Sequence, residues 1–124
     1  ERIIFEYLKQ QHANSGRRVV WLNEHIERRE PYDMVVFDTD DTVLNYVEVK
    51  TTTQSSKRTF EISRREVEFA LEKRSKFTLY RVLIDFAPTD SNKTGVSITM
   101  VPDLSRHLGK SLQMLIYMSD LDPH

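Results

Sequence analysis

Cysteine is absent from the 124 residues, so neither a disulfide nor a thiolate-held zinc can staple this chain. That absence favours an intracellular origin. No excess of either charge is present: 18 Lys and Arg stand against 19 Asp and Glu, a formal net charge of −1. A general polyanion-binding surface is thereby excluded, and any nucleic-acid contact has to be a local patch. No apolar run approaches the ~18 residues of a membrane-spanning helix. The first residues are interrupted by charges at once, unlike a secretory signal. Repeats and low-complexity segments are missing too. His12, His25, His107 and His124 are scattered without metal-ligand spacing and read as ordinary surface positions.

What is present suits one domain, able to bury about 65% of its unfolded surface. The chain opens on Glu1 rather than methionine and is expected to be one domain of a larger protein. Residues 2–11 carry Ile3, Ile4, Tyr7 and Leu8 at helical spacing. Asn14-Ser15-Gly16 is turn chemistry, and Arg18–Leu22 reads as a strand. Residues 23–30 are charged and read as a loop or short helical turn, closed by Pro31. Tyr32–Phe37 and Val43–Lys50 read as two strands around the polar turn Asp38-Thr39-Asp40-Asp41. Thr51–Lys57 reads as a loop and Thr59–Ile62 as a short strand. Ser63-Arg64-Arg65-Glu66 has the form of a capping box, starting a helix that ends near Arg74. Phe77–Phe86 is the longest apolar strand, expected at the centre of a sheet. After a loop over Ala87–Gly95 come a strand Val96–Val101, a short helix Pro102–His107 and a last strand Leu112–Met118. This order predicts an α/β fold, a mixed sandwich around one sheet.

The chemistry-bearing stretch is Tyr46-Val47-Glu48-Val49-Lys50. In a strand, Glu48 and Lys50 share a face about 6–7 Å apart, with Val47 and Val49 on the other. If the preceding strand pairs with it as a hairpin, Asp33 comes beside Glu48. Two carboxylates and a lysine then converge, a set that can hold a divalent metal and a phosphodiester. Spacing alone favours a solvated strand face with an ion pair, worth about 0–1 kcal/mol.

Asp33 followed by Glu48-Val49-Lys50 resembles the PD-(D/E)XK nuclease pattern. The surrounding runs are more specific: Val20-Trp21-Leu22-Asn23-Glu24, Pro31-Tyr32-Asp33, Tyr46 to Thr51, Phe60 to Ala70, and Leu108-Gly109-Lys110. Together they resemble the C-terminal domain of the protein NO VEIN family over nearly the whole chain. That resemblance implies a restriction-endonuclease-like α/β/α sandwich with a central mixed sheet. It places Asp33, Glu48 and Lys50 at the nuclease motif positions, all three intact. It also implies a parent protein carrying an ATPase-like region as partner. The family's first helix usually begins Gly-Glu, of which Glu1 alone is present.

The implied reaction is metal-assisted phosphodiester hydrolysis. Asp33, Glu48 and the Val49 carbonyl would hold Mg²⁺, an ion that takes oxygen ligands and keeps several waters. Lys50 would orient the attacking water or stabilise charge on the phosphate. Glu66 suits this site or, more simply, the helix cap. Among the basic doublets, Lys57-Arg58 and Arg64-Arg65 flank the motif and could track phosphates of DNA or RNA; the others read as solvated faces. Trp21 and Tyr32 read as core and rim, and the sequon Asn92-Lys93-Thr94 as chance. Three functions stay open: a nuclease-like enzyme, a silent nuclease fold that binds nucleic acid or protein, and a structural module docking an ATPase region. An intracellular location is expected, with the nucleus open.

Overall fold

A computed structural model of the chain describes residues 1–26, 29–53, 59–85 and 95–107. Helix α1 (Arg2–Gln11) leads into strand β1 (Arg18–Trp21), then β2 (Met34–Phe37) and β3 (Val43–Thr52). Helix α2 (Arg64–Lys73) and a 3₁₀ turn (Arg74–Lys76) precede β4 (Phe77–Ile84), β5 (Val96–Pro102) and a second 3₁₀ turn (Leu104–Arg106). The five strands form one sheet in chain order. β1–β2, β2–β3 and β4–β5 are antiparallel, whereas β3–β4 is parallel. A parallel pair needs a long crossover, and α2 supplies it. The sheet is therefore mixed, as expected.

Strand alternation sorts the core into two halves. Val47 and Val49 of β3, with Tyr80 and Val82 of β4, face α1 and bury Ile4, Phe5 and Leu8 with Met34 and Val36. On the opposite face, Phe77 and Leu79 pack with Ala70 of α2 and Leu104, flanked by Tyr46, Phe60, Ile62 and Phe69. Thus α1 covers one side and α2 the other: the described residues form an α/β fold of two α-helices on a five-stranded mixed sheet. Ser63 caps α2 as its sequence predicts: its hydroxyl accepts from the Glu66 N–H at 3.1 Å, and Glu66 Oε1 accepts from the Ser63 N–H at 3.4 Å.

The β2–β3 hairpin turn forms where expected, with the Asp38 N–H donating to the Thr42 carbonyl at 2.8 Å and Asp41 in the left-handed region at φ 63°. Several boundaries differ from the sequence reading. β2 starts at Met34, two residues late, because Tyr32 leaves the sheet to join an aromatic cluster with Tyr46 and Phe69 at 4.9 and 5.0 Å. β3 runs on to Thr52, since its parallel register with β4 extends that far. β4 ends at Ile84 rather than Phe86. Residues 59–62 are not a strand: Phe60 and Ile62 cover the α2-side core without joining the ladder. Alternation there reflects one-sided burial alone. The expected last strand Leu112–Met118 and the sequon lie outside the described residues, as does the loop Ala87–Gly95 apart from Gly95.

Candidate functional site

The hairpin register brings the predicted residues together. Met34 stands opposite Val47, so Asp33, one step before β2, stands opposite Glu48 on the same face. Asp33 is pinned from several directions. Its N–H donates to the Val47 carbonyl at 2.7 Å, and its own carbonyl accepts from the Leu22 N–H at 3.0 Å. Its carboxylate Oδ2 accepts from the Val49 N–H at 2.8 Å, while Oδ1 accepts from Asn23 Nδ2 at 3.4 Å. Because N–H and C=O of one strand residue point to the same edge, the Val49 carbonyl is turned toward the edge that Asp33 occupies.

Lys50 closes the group. Its Nζ lies 3.5 Å from Glu48 Oε1 and 2.9 Å from Glu66 Oε2. It also donates to Glu66 Oε1 at 3.3 Å. The 2.9 Å contact is an ion pair without hydrogen-bond alignment, which leaves the buried Glu66 Oε2 with no hydrogen bond. Glu66 thus serves two purposes: it completes the cap of α2 and reaches down to Lys50. The sequence reading offered both roles for Glu66 and preferred the cap, since nothing local to residues 63–66 shows that the crossover helix starts above Lys50.

Two further groups escaped sequence reasoning. Asn23 Nδ2 contacts Glu1 Oε1 at 3.2 Å as well as Asp33, and Trp21 Nε1 donates to the same Glu1 oxygen at 3.1 Å. The start of α1 is thereby tied to the end of β1 and to Asp33. The pattern Trp21-Leu22-Asn23 was the available signal, but a strand end does not reveal what its amide meets.

Among the described residues, carboxylates outnumber cations here: Asp33, Glu48 and Glu66 face the ammonium of Lys50. Glu48 is only 8% exposed. Its burial, then the charges of Asp33 and Glu66, push its carboxyl up to about 9, with Lys50 opposing. Burial also raises Asp33, to about 6; the Val49 N–H and Lys50 pull it down, while Glu1 and Glu66 push it up. For Lys50, burial alone would lower the ammonium, but Glu66 and Glu48 outweigh that and carry it above the ordinary lysine value. At neutral pH the group therefore holds a proton on Glu48, where a cation would relieve the same repulsion.

The donor set is all oxygen, which suits magnesium. Among the described residues, no three or more His, Cys, Asp or Glu side chains are arranged to hold a metal ion. Two carboxylates and the Val49 carbonyl are what the geometry offers, leaving remaining positions to water and substrate. Of the proposed phosphate contacts, Arg64 and Arg65 are exposed on the first turn of α2. Arg64 lies 3.7 Å from Glu68; Arg65 lies 3.9 Å from Glu30 and donates to the Arg29 carbonyl. Lys57 and Arg58 lie outside the described residues.

Comparison with known proteins adds two findings. The family model described as Protein NO VEIN, C-terminal matches residues 1–96. The chain is also 34% identical over 84 residues to Protein NO VEIN-LIKE of Arabidopsis thaliana, covering 68% of this chain and 12% of that protein. No solved structure matches the chain.

Proposed function

Because the chain belongs to the family of the NO VEIN C-terminal domain, we propose that it carries a PD-(D/E)XK-type centre for metal-assisted hydrolysis of nucleic-acid phosphodiesters. The observation behind this reading is the convergence of Asp33, Glu48 and Lys50 on one sheet face, in a group short of positive charge. Magnesium, when bound by Asp33, Glu48 and the Val49 carbonyl, would polarise the phosphoryl group and acidify a water. Asp33 needs no reorganisation for this, because the Val49 N–H already fixes its Oδ2. Glu48 would surrender its proton as the cation enters. Lys50, steadied by Glu66, would face the charge developing on the phosphate. Restriction-endonuclease-like ancestry, intracellular or nuclear action, and contacts from Lys57, Arg58, Arg64 and Arg65 belong to the same proposal.

One observation favours a second reading. Lys50 is held by two carboxylates and Glu48 is nearly sealed from solvent. A silent nuclease fold, binding nucleic acid or protein for a large ATPase-containing parent, would tolerate that closure. Cleavage of single- and double-stranded DNA and RNA with Mg²⁺ or Mn²⁺ decides between them, with Lys50→Ala as control. Cutting that needs metal and disappears in the control supports the enzyme. Unchanged calorimetric magnesium titration in the Asp33→Ala/Glu48→Ala double variant ends the metal proposal.

A further inference from the structure

Beside this centre, between α2 and the segment entering β2, lies an open groove of about 350 Å³. Its floor is Pro31, Tyr32 and Phe69, the two rings stacked 5.0 Å apart at 27°. Its rim carries Glu68 and Glu72, with Arg65 and Glu30 at one end. The groove is at the small end of ligand-site volumes, the size of a side chain rather than a large ligand. Arg65 is held by Glu30 at 3.9 Å and by the Arg29 carbonyl. That leaves Glu68 and Glu72 as the charges facing an occupant. Glu68 has Arg64 at 3.7 Å, an exposed pair worth little and readily exchanged, whereas Lys73, 3.5 Å from Glu72, is half-buried with its ammonium over the Tyr46 and Phe69 rings.

An aromatic floor under a carboxylate rim is complementary to a flat cation and repels a phosphate. We propose that this groove docks an arginine side chain of a partner polypeptide, the guanidinium stacking on the Tyr32 ring and forking onto Glu68, while Lys73 keeps its place over Phe69. Arginine fits better than lysine because its planar, weakly hydrated head can stack and bond bidentately at once. From Arg65 to Glu72 the groove wall runs about 10 Å along α2, enough for about three extended residues. The inference uses none of Asp33, Glu48 and Lys50 and so survives a failure of the hydrolytic centre, although Arg65, a phosphate contact in that reading, lines one end of the groove.

The test is NMR titration of the 124-residue chain with an acetylated, amidated Gly-Arg-Gly-Arg-Gly peptide, beside its citrulline counterpart and a single-stranded oligonucleotide. Amide shifts confined to Tyr32 and residues 65–72, at least tenfold weaker binding of the citrulline peptide, and a similar loss in Glu68→Gln/Glu72→Gln support the proposal. Both substitutions are on the exposed helix face, and an unchanged far-ultraviolet spectrum confirms folding. Equal binding of arginine and citrulline peptides, shifts elsewhere, or preferential binding of the oligonucleotide at these residues would overturn it.

Discussion

Replacing Glu48 by glutamine keeps its shape and removes its charge, which makes it the sharpest test of the site's electrostatics. In the unfolded chain Glu48 ionises near its ordinary 4.5; in the fold its carboxyl is pushed up to about 9. Between pH 6 and 8 the folded state therefore holds one more proton than the unfolded state. Stability then falls as pH rises, by about 1.4 kcal/mol per pH unit. Across that window the loss is about 3 kcal/mol, a large share of a small domain's total. Asp33, raised only to about 6, makes its contribution mainly below that window, in the same direction. The stability that Lys50 draws from its pairs is full below the ordinary lysine value and is lost as pH rises from there through its raised folded value, above this window. The expected result is that Glu48→Gln gains on the wild type by about 3 kcal/mol as the pH rises from 6 to 8. Urea unfolding followed through Trp21, the sole tryptophan, reads both curves. Titrating groups remote from this cluster are common to both chains and cancel in the difference. Magnesium at ten times its dissociation constant should return about 1.4 kcal/mol to the wild type at pH 8, and nothing to the variant. Parallel pH curves for the two proteins would refute the reasoning.

Ser63→Ala removes the oxygen that accepts the Glu66 N–H, and should cost about 1 kcal/mol in urea unfolding. It should also loosen Glu66 over Lys50, so any metal-dependent cleavage falls without being abolished. Phe77→Ala empties a fully buried site between β4 and α2, and a loss of about 3–5 kcal/mol is expected. Gly16→Ala places a methyl group 3.1 Å from Thr39 Cγ2 at φ +75°. A loss of about 1 kcal/mol or more should appear as a lower thermal midpoint, whereas an unchanged midpoint would mean that the turn relaxes freely.

The helices and most strands were legible because their cues are local. The capping box starts α2, and the apolar stripe of residues 3–8 marks α1. Alternation across residues 46–50 separates Val47 and Val49 from Glu48 and Lys50 whatever the partner strands are. The reading failed at Thr59–Ile62, where Phe60 and Ile62 have the spacing of a strand but no ladder to join. It also extended β2 back to Tyr32, whose ring finds Phe69, far away in the chain.

By itself the sequence determined which residues could do chemistry and on which strand face they sit, because side-chain period is a property of the backbone. It also determined the family. Tertiary structure alone decided that the first turn of α2 lies over Lys50, that Asn23 links Glu1 to Asp33, and that Glu48 is sealed deeply enough to keep its proton. Those facts depend on the parallel crossover from β3 to β4 and on burial, quantities set by residues far apart in the chain.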